Sequence, residues 1–150
     1  MAADGGYSEK TLGRHERSAM FPTNERYPCP CCGYRVNRLP PGYHEVCPIC
    51  GWEDDLSQLR FVEMPGAANH VSLTDAQRNY AEFGAAERRN SGRGRAPVPG
   101  EVREENWRPV NPERDNIEQP RRGVGYADTY PEDTTELYYW RATYWRRVVG

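Results

Sequence analysis

The chain has 150 residues, of which 37% are hydrophobic, with a mean hydropathy of −0.96; it can bury only a modest core, so a bound metal would be a useful source of stability. Its formal net charge of −2 argues against a dedicated nucleic-acid binder, which usually carries a clear basic excess. The sequence has no run of 18 apolar residues, so no transmembrane helix and no membrane partner are expected.

Residues 1–25 are polar, with Gly5-Gly6 and scattered charges, and read as a flexible leader ordered only near Met20 and Phe21. They lack the positive-then-apolar pattern of a secretion signal. The five cysteines are an odd number, spaced like metal ligands rather than like a disulfide framework. Together these features predict a cytoplasmic, reducing location.

Residues 26–90 hold all five cysteines, in the repeated pattern Cys29-Pro30-Cys31-Cys32-Gly33 and Cys47-Pro48-Ile49-Cys50-Gly51. Both copies read Cys-Pro-x-Cys-Gly. In such a knuckle the chain turns so that both sulfurs point one way; Pro fixes φ, and Gly after the second Cys permits positive φ. Two Cys-x-x-Cys pairs at this spacing predict a four-thiolate site. The ligands are then Cys29, Cys32, Cys47 and Cys50, and Cys31 is left over, either as a small filler or as a redox-sensitive or exchangeable thiol. Four thiolates leave no open position for water, so the site is read as structural and the protein as a non-enzyme. Zinc is expected on general grounds, with iron as the alternative.

Between the knuckles, Tyr34–Leu39 suits a short strand, Pro40-Pro41-Gly42 a turn, and Tyr43–Val46 a return strand. That hairpin would bring the two Cys pairs side by side. His44 in the return is read as a surface histidine, or else as a group beside the cluster or an alternative ligand. Neither His15 nor His70 has a partner at ligand spacing. In Trp52-Glu53-Asp54-Asp55, the Trp is expected beside the cluster and the acids solvated or capping a turn, the alternative being a carboxylate site for a metal or a partner.

Residues 56–71 look like a connecting loop. Ser72 then offers a helix cap with Asp75 three residues on, and Leu73, Ala76, Tyr80 and Phe83 follow at helical spacing until Gly84. This predicts one amphipathic helix over about 72–83.

Residues 91–125 are rich in Pro, Gly and Arg and read as an extended linker or a loosely packed arm. The Arg88, Arg89, Arg93 and Arg95 group is either a solvated stretch or a phosphate contact. Residues 126–150 form an aromatic C-terminal segment. There Leu137, Trp140, Tyr144 and Val148 would share a helical face after a cap at Asp133, although the composition also suits a strand. These aromatics either pack on the metal module or form a patch for a protein partner.

Three blocks, Tyr27–Tyr34, Cys47–Asp55 and Gly66–Gly84, together resemble the bacterial cysteine-rich CPCC domain family over roughly residues 27–90. The resemblance implies a small bacterial domain with a metal site and no established activity. It marks Cys29, Cys31, Cys32, Cys47 and Cys50 as the defining positions without deciding which four bind.

The expected fold is therefore small, α+β and metal-stabilised. It has a zinc-ribbon or rubredoxin-like knuckle pair on a β-hairpin, one amphipathic helix and a long irregular C-terminal arm. The expected function is a structural-zinc module that mediates binding to a protein partner. The alternatives are a rubredoxin-like iron electron carrier and a zinc-ribbon nucleic-acid-binding protein; the extra Cys31 and a gap shorter than in rubredoxins count against the first.

Overall fold

The computed structural model describes residues 25–90, 92 and 94–146. The expectations for the leader, His15, Arg93 and Val148 lie outside these residues. In chain order the elements are β1 (Tyr27–Pro28), β2 (Arg35–Asn37), helix α1 (Leu56–Arg60), helix α2 (Leu73–Phe83) and two 3-10 turns, Arg88–Asn90 and Thr134–Leu137.

A two-stranded antiparallel hairpin is present: the strand expected within Tyr34–Leu39 forms as β2, but its partner is not the expected Tyr43–Val46 return. The strand after the first knuckle pairs with the chain before it, Tyr27 opposite Asn37 and Pro28 opposite Arg35. The Tyr43–Val46 return forms no strand: His44 sits at φ 58, which breaks extended backbone, and Val46 makes a single bridge to Glu53. The knuckle itself is thus the hairpin turn.

The predicted helix is present as α2. The Ser72 side chain accepts from the Asp75 N–H, and Gly84 closes the helix in the left-handed conformation. Leu73 and Ala76 face the core, with Tyr80 packed partly against it.

The loop expected at 56–71 instead begins with a second helix, α1. Asp55 caps it, accepting from the Ser57 and Gln58 N–H groups, so the acidic run after the second knuckle is a helix start. The rest of that loop is ordered by the buried Gln58 amide, which donates to the carbonyls of Met64, Asn69 and Val71. Its oxygen accepts from the Asn69 backbone N–H and side-chain amide. Such a satisfied polar knot can hold irregular chain as firmly as a regular element.

The C-terminal aromatics do not continue as a helix among the described residues. A 3-10 turn capped by Asp133 ends at Leu137, and Tyr138 leaves it in extended conformation. The reason is packing. Leu137, Tyr138, Tyr139 and Trp140 are consecutive and all buried, which no single helical face allows. They share one core with the five cysteines, Ile49, Trp52, Leu59 and Leu73. Of the two readings offered for the aromatics, the structure has them on the metal module.

Residues 94–125 have the irregular backbone expected of their composition, and they lie against the knuckles. Arg35 N–H donates to the Val102 carbonyl at 2.9 Å and Glu104 N–H to the Gly33 carbonyl at 2.8 Å. Among the described residues, no helix is long and apolar enough to cross a membrane.

Candidate metal centre

The two knuckles repeat one backbone design. Cys29 N–H donates to the Tyr34 carbonyl and Gly33 N–H to the Cys29 carbonyl. At the second knuckle, Cys47 N–H donates to the Trp52 carbonyl and Gly51 N–H to the Cys47 carbonyl. Gly33 and Gly51 adopt nearly the same left-handed φ, 84 and 85, which a residue with a Cβ enters at a cost. The shared Pro and Gly positions therefore correspond to two closely similar turns.

These turns aim four sulfurs at one point. The Sγ atoms of Cys29, Cys32, Cys47 and Cys50 all lie within 4.8 Å of one another, and all four residues are buried. Cys29 is 3.6 Å from Cys50 and Cys32 is 3.8 Å from Cys47, sulfur to sulfur. A disulfide needs about 2.05 Å, so these are contacts between free thiols. A tetrahedron of thiolates about 2.3 Å from a central ion has edges of roughly 3.8 Å. The four cysteines thus have the spacing of a tetrathiolate shell and could hold a metal ion. Cys31 is equally buried but lies outside this group of four.

The electrostatics agree with the geometry. Burial, together with hydrogen bonds among the sulfurs, pushes the Cys29 and Cys50 thiols well up. Hydrogen bonds from Cys29, Cys32 and Cys50 draw Cys47 down, against the effect of its burial. Burial also raises Cys31. Several buried thiolates cannot coexist without a compensating cation, and a divalent ion supplies it. The Ile49 N–H, 3.4 Å from the Cys47 sulfur, adds a weak donor to that ligand.

Around the sulfurs, the knuckle carbonyls are taken up by distant side chains. The Pro30 carbonyl accepts from the Gln77 amide at 3.0 Å and the Trp107 indole N–H at 3.1 Å. Arg103 donates to the Cys32 carbonyl at 2.8 Å. Ala86 N–H donates to the Cys50 carbonyl and Arg95 N–H to the Ile49 carbonyl. Gly94 passes so close to that Ile49 carbonyl that a Cβ would collide with it. Gln77 also bonds the Tyr139 hydroxyl and the Val110 N–H, so one α2 side chain ties together the first knuckle, the arm and the aromatic segment.

The remaining candidates fall elsewhere. His44 is exposed and pairs with Glu53 at 3.3 Å; His70 is exposed at the surface. Trp52 is buried beside the cluster, Asp54 accepts from the Gly42 and Tyr43 N–H groups, and Asp55 caps α1. Gln77, Arg103, Glu104 and Trp107 were not singled out by the sequence reading. No local motif marks them, because each acts on residues far away in the chain.

No curated protein matches the chain at a significant level. A family model described as Cysteine-rich CPCC matches residues 27–101, half of the chain, and extends past the blocks that carried the sequence resemblance into the irregular arm. With the doubled knuckle and its four converging sulfurs described, the chain belongs to the cysteine-rich CPCC family.

Proposed function

We propose that the protein is a structural-metal module that presents a surface to a protein partner in a reducing, cytoplasmic setting, with one zinc ion held by Cys29, Cys32, Cys47 and Cys50. The observation that carries the metal assignment is the convergence of four buried sulfurs within 4.8 Å. A four-sulfur shell is coordinatively closed, and closed shells serve to fold a protein rather than to activate water. The metal supplies a dication to the buried thiolates. The chain supplies the two turns, the carbonyl contacts and the aromatic cover that exclude solvent from them.

A protein partner is favoured over nucleic acid by what the arginines do. Arg89 pairs with Glu87 and Arg95 with Glu101. Arg88 lies over the Phe83 ring at 4.3 Å. Arg89 and Arg95 are thus each balanced one-to-one by a carboxylate, leaving no excess of positive charge on that pair, which argues against an open basic strip.

Elemental analysis of purified protein tests the metal reading. One equivalent of zinc, removed by a chelator together with the near-UV circular dichroism of the buried aromatics, is expected. One equivalent of iron with a red thiolate-to-iron colour would move the assignment to an electron carrier. Metal-free protein with unchanged tertiary signals would overturn it. The partner reading is tested by cross-linking in cells: it requires a protein adduct that disappears when Cys47 is replaced by Ser.

A further inference from the structure

Away from the metal centre, residues from the stretches 106–116 and 139–146 line an open-mouthed cavity of about 610 Å³, within the size range of small-molecule sites. Its wall carries four arginines, Arg108, Arg114, Arg141 and Arg146, against one acid, Asp115. That is a cationic site in a chain whose net charge is −2.

The guanidinium groups are held from behind. Glu104 takes both Arg35 and Arg141, Glu118 takes both Arg60 and Arg146, and Asp115 takes Arg108. Two of these three carboxylates therefore each serve two cations, and positive charge remains in excess. Each carboxylate also occupies only part of a guanidinium, which has five N–H donors. Arg141 uses Nε and one terminal nitrogen on Glu104, and Arg146 meets Glu118 through Nε at 3.2 Å. Donors are left over on planes already fixed in place, which lowers the ordering cost of binding.

Arg114 stands apart from the others. It lines the cavity, and its guanidinium makes no hydrogen bond or ion pair among the described residues; it acts on Asp115 only through space. At the cavity edge Asn106 holds a left-handed φ of 72, a conformation seldom used by residues other than glycine. Glu105 opens on an adjoining recess with Arg141 and does not line the cavity itself.

We propose that this cavity binds a small phosphoryl-bearing anion, its oxygens taken by the spare N–H groups of Arg114, Arg146 and Arg141. Guanidinium forks match phosphoryl oxygens in pairs, and the half-buried Tyr144 ring in the wall offers a face to an attached base. The ligand is then either a bare polyphosphate or a nucleotide, and two probes separate these sources.

The test is calorimetric titration of metal-loaded, full-length protein with pyrophosphate and, separately, with ADP, at fixed physiological ionic strength. Saturable binding of at least one probe with Kd below about 1 mM is expected; tighter ADP would identify a nucleotide, equal affinity a bare polyphosphate. Arg114→Gln together with Arg146→Gln should weaken binding about tenfold or more. Arg114→Gln alone, at a side chain with no partner to lose, provides the same test should the double variant fold poorly. Arg78→Gln, on the exposed face of α2, should bind as the parent does. Absence of saturable binding by both probes would overturn the proposal. So would undiminished binding by the cavity variants, or an equal loss in Arg78→Gln.

Discussion

The Trp107 indole lies directly over Gly33: a Cβ built on that glycine would come within 2.5 Å of the ring. The contact joins the first knuckle to a residue seventy-four positions later in the chain. It also gives Gly33 two separate reasons to be glycine, its φ of 84 and the ring above it.

Gly33→Ala should therefore cost about 2–4 kcal/mol, from left-handed strain plus overpacking against the indole. Chemical denaturation of the metal-loaded protein measures it. In a Trp107→Ala background the same substitution should cost only about 1–2 kcal/mol, the strain alone. An equal cost in both backgrounds would remove the ring from the account.

The ligand set makes a qualitative prediction. Cys31→Ser should retain one equivalent of metal, because Cys31 is outside the group of four sulfurs. Cys32→Ser should lose the metal or bind it far more weakly. Elemental analysis of both variants decides, and the opposite pattern would reassign the ligands.

Arg60 anchors the C-terminal segment to α1. Its side chain is 3% exposed and bonds Glu118 through two nitrogens, at 2.9 and 3.0 Å. The rings of Phe61, Tyr126, Tyr130 and Trp145 surround it at 4.8–5.0 Å. Arg60→Ala should destabilise by about 2–4 kcal/mol; Glu118 keeps Arg146, so the loss stays below that of a fully orphaned buried charge. Intrinsic fluorescence should report the change through Trp145, while metal content stays at one equivalent.

Acid sensitivity should follow particular carboxylates. Burial alone would raise Asp55, but the Ser57 hydroxyl and the N–H groups of Ala68, Gln58 and Ser57 outweigh it and hold the group below the usual aspartate range. A folded pKa below the unfolded one gives stability that is full above the unfolded value, about pH 4, and is lost as pH falls through the folded value. Asp54 has the opposite sign. Burial raises it despite the Gly42 and Tyr43 N–H groups, so its favourable contribution belongs to low pH and fades as pH rises. Urea midpoints between pH 3 and 7 should therefore fall less steeply with acid in Asp55→Asn than in the parent. In Asp54→Asn, which keeps an acceptor oxygen, stability at pH 7 should be unchanged or slightly higher. Proton competition for the thiolates acts on all three proteins alike and cancels in the comparison.

Much of the site was legible locally. Cys29, Cys32, Cys47 and Cys50 could be picked out because a knuckle is a five-residue device, and its Pro and Gly positions reflect the turn it makes. Helix α2 was legible for the same kind of reason: its cap, apolar spacing and glycine stop all lie within thirteen residues, Ser72 to Gly84. Helix α1 was not. Asp55 looked like one acid among three, and five helical residues carry too little periodicity to be seen. The return strand failed for a related reason, since its residues suit a strand but a positive φ at His44 breaks it.

By itself, the sequence determined the doubled knuckle, the four sulfurs it aims and helix α2, because each is encoded by neighbours in the chain. Tertiary structure alone decided that the aromatic segment and the irregular arm close over that centre. Among those contacts, Trp107 on Gly33, Gln77 on Pro30, Arg60 on Glu118 and Glu104 on Arg141 join residues 37 or more positions apart. Local composition cannot express such pairings; they arise only when distant segments bury their scarce apolar surface around a shared core.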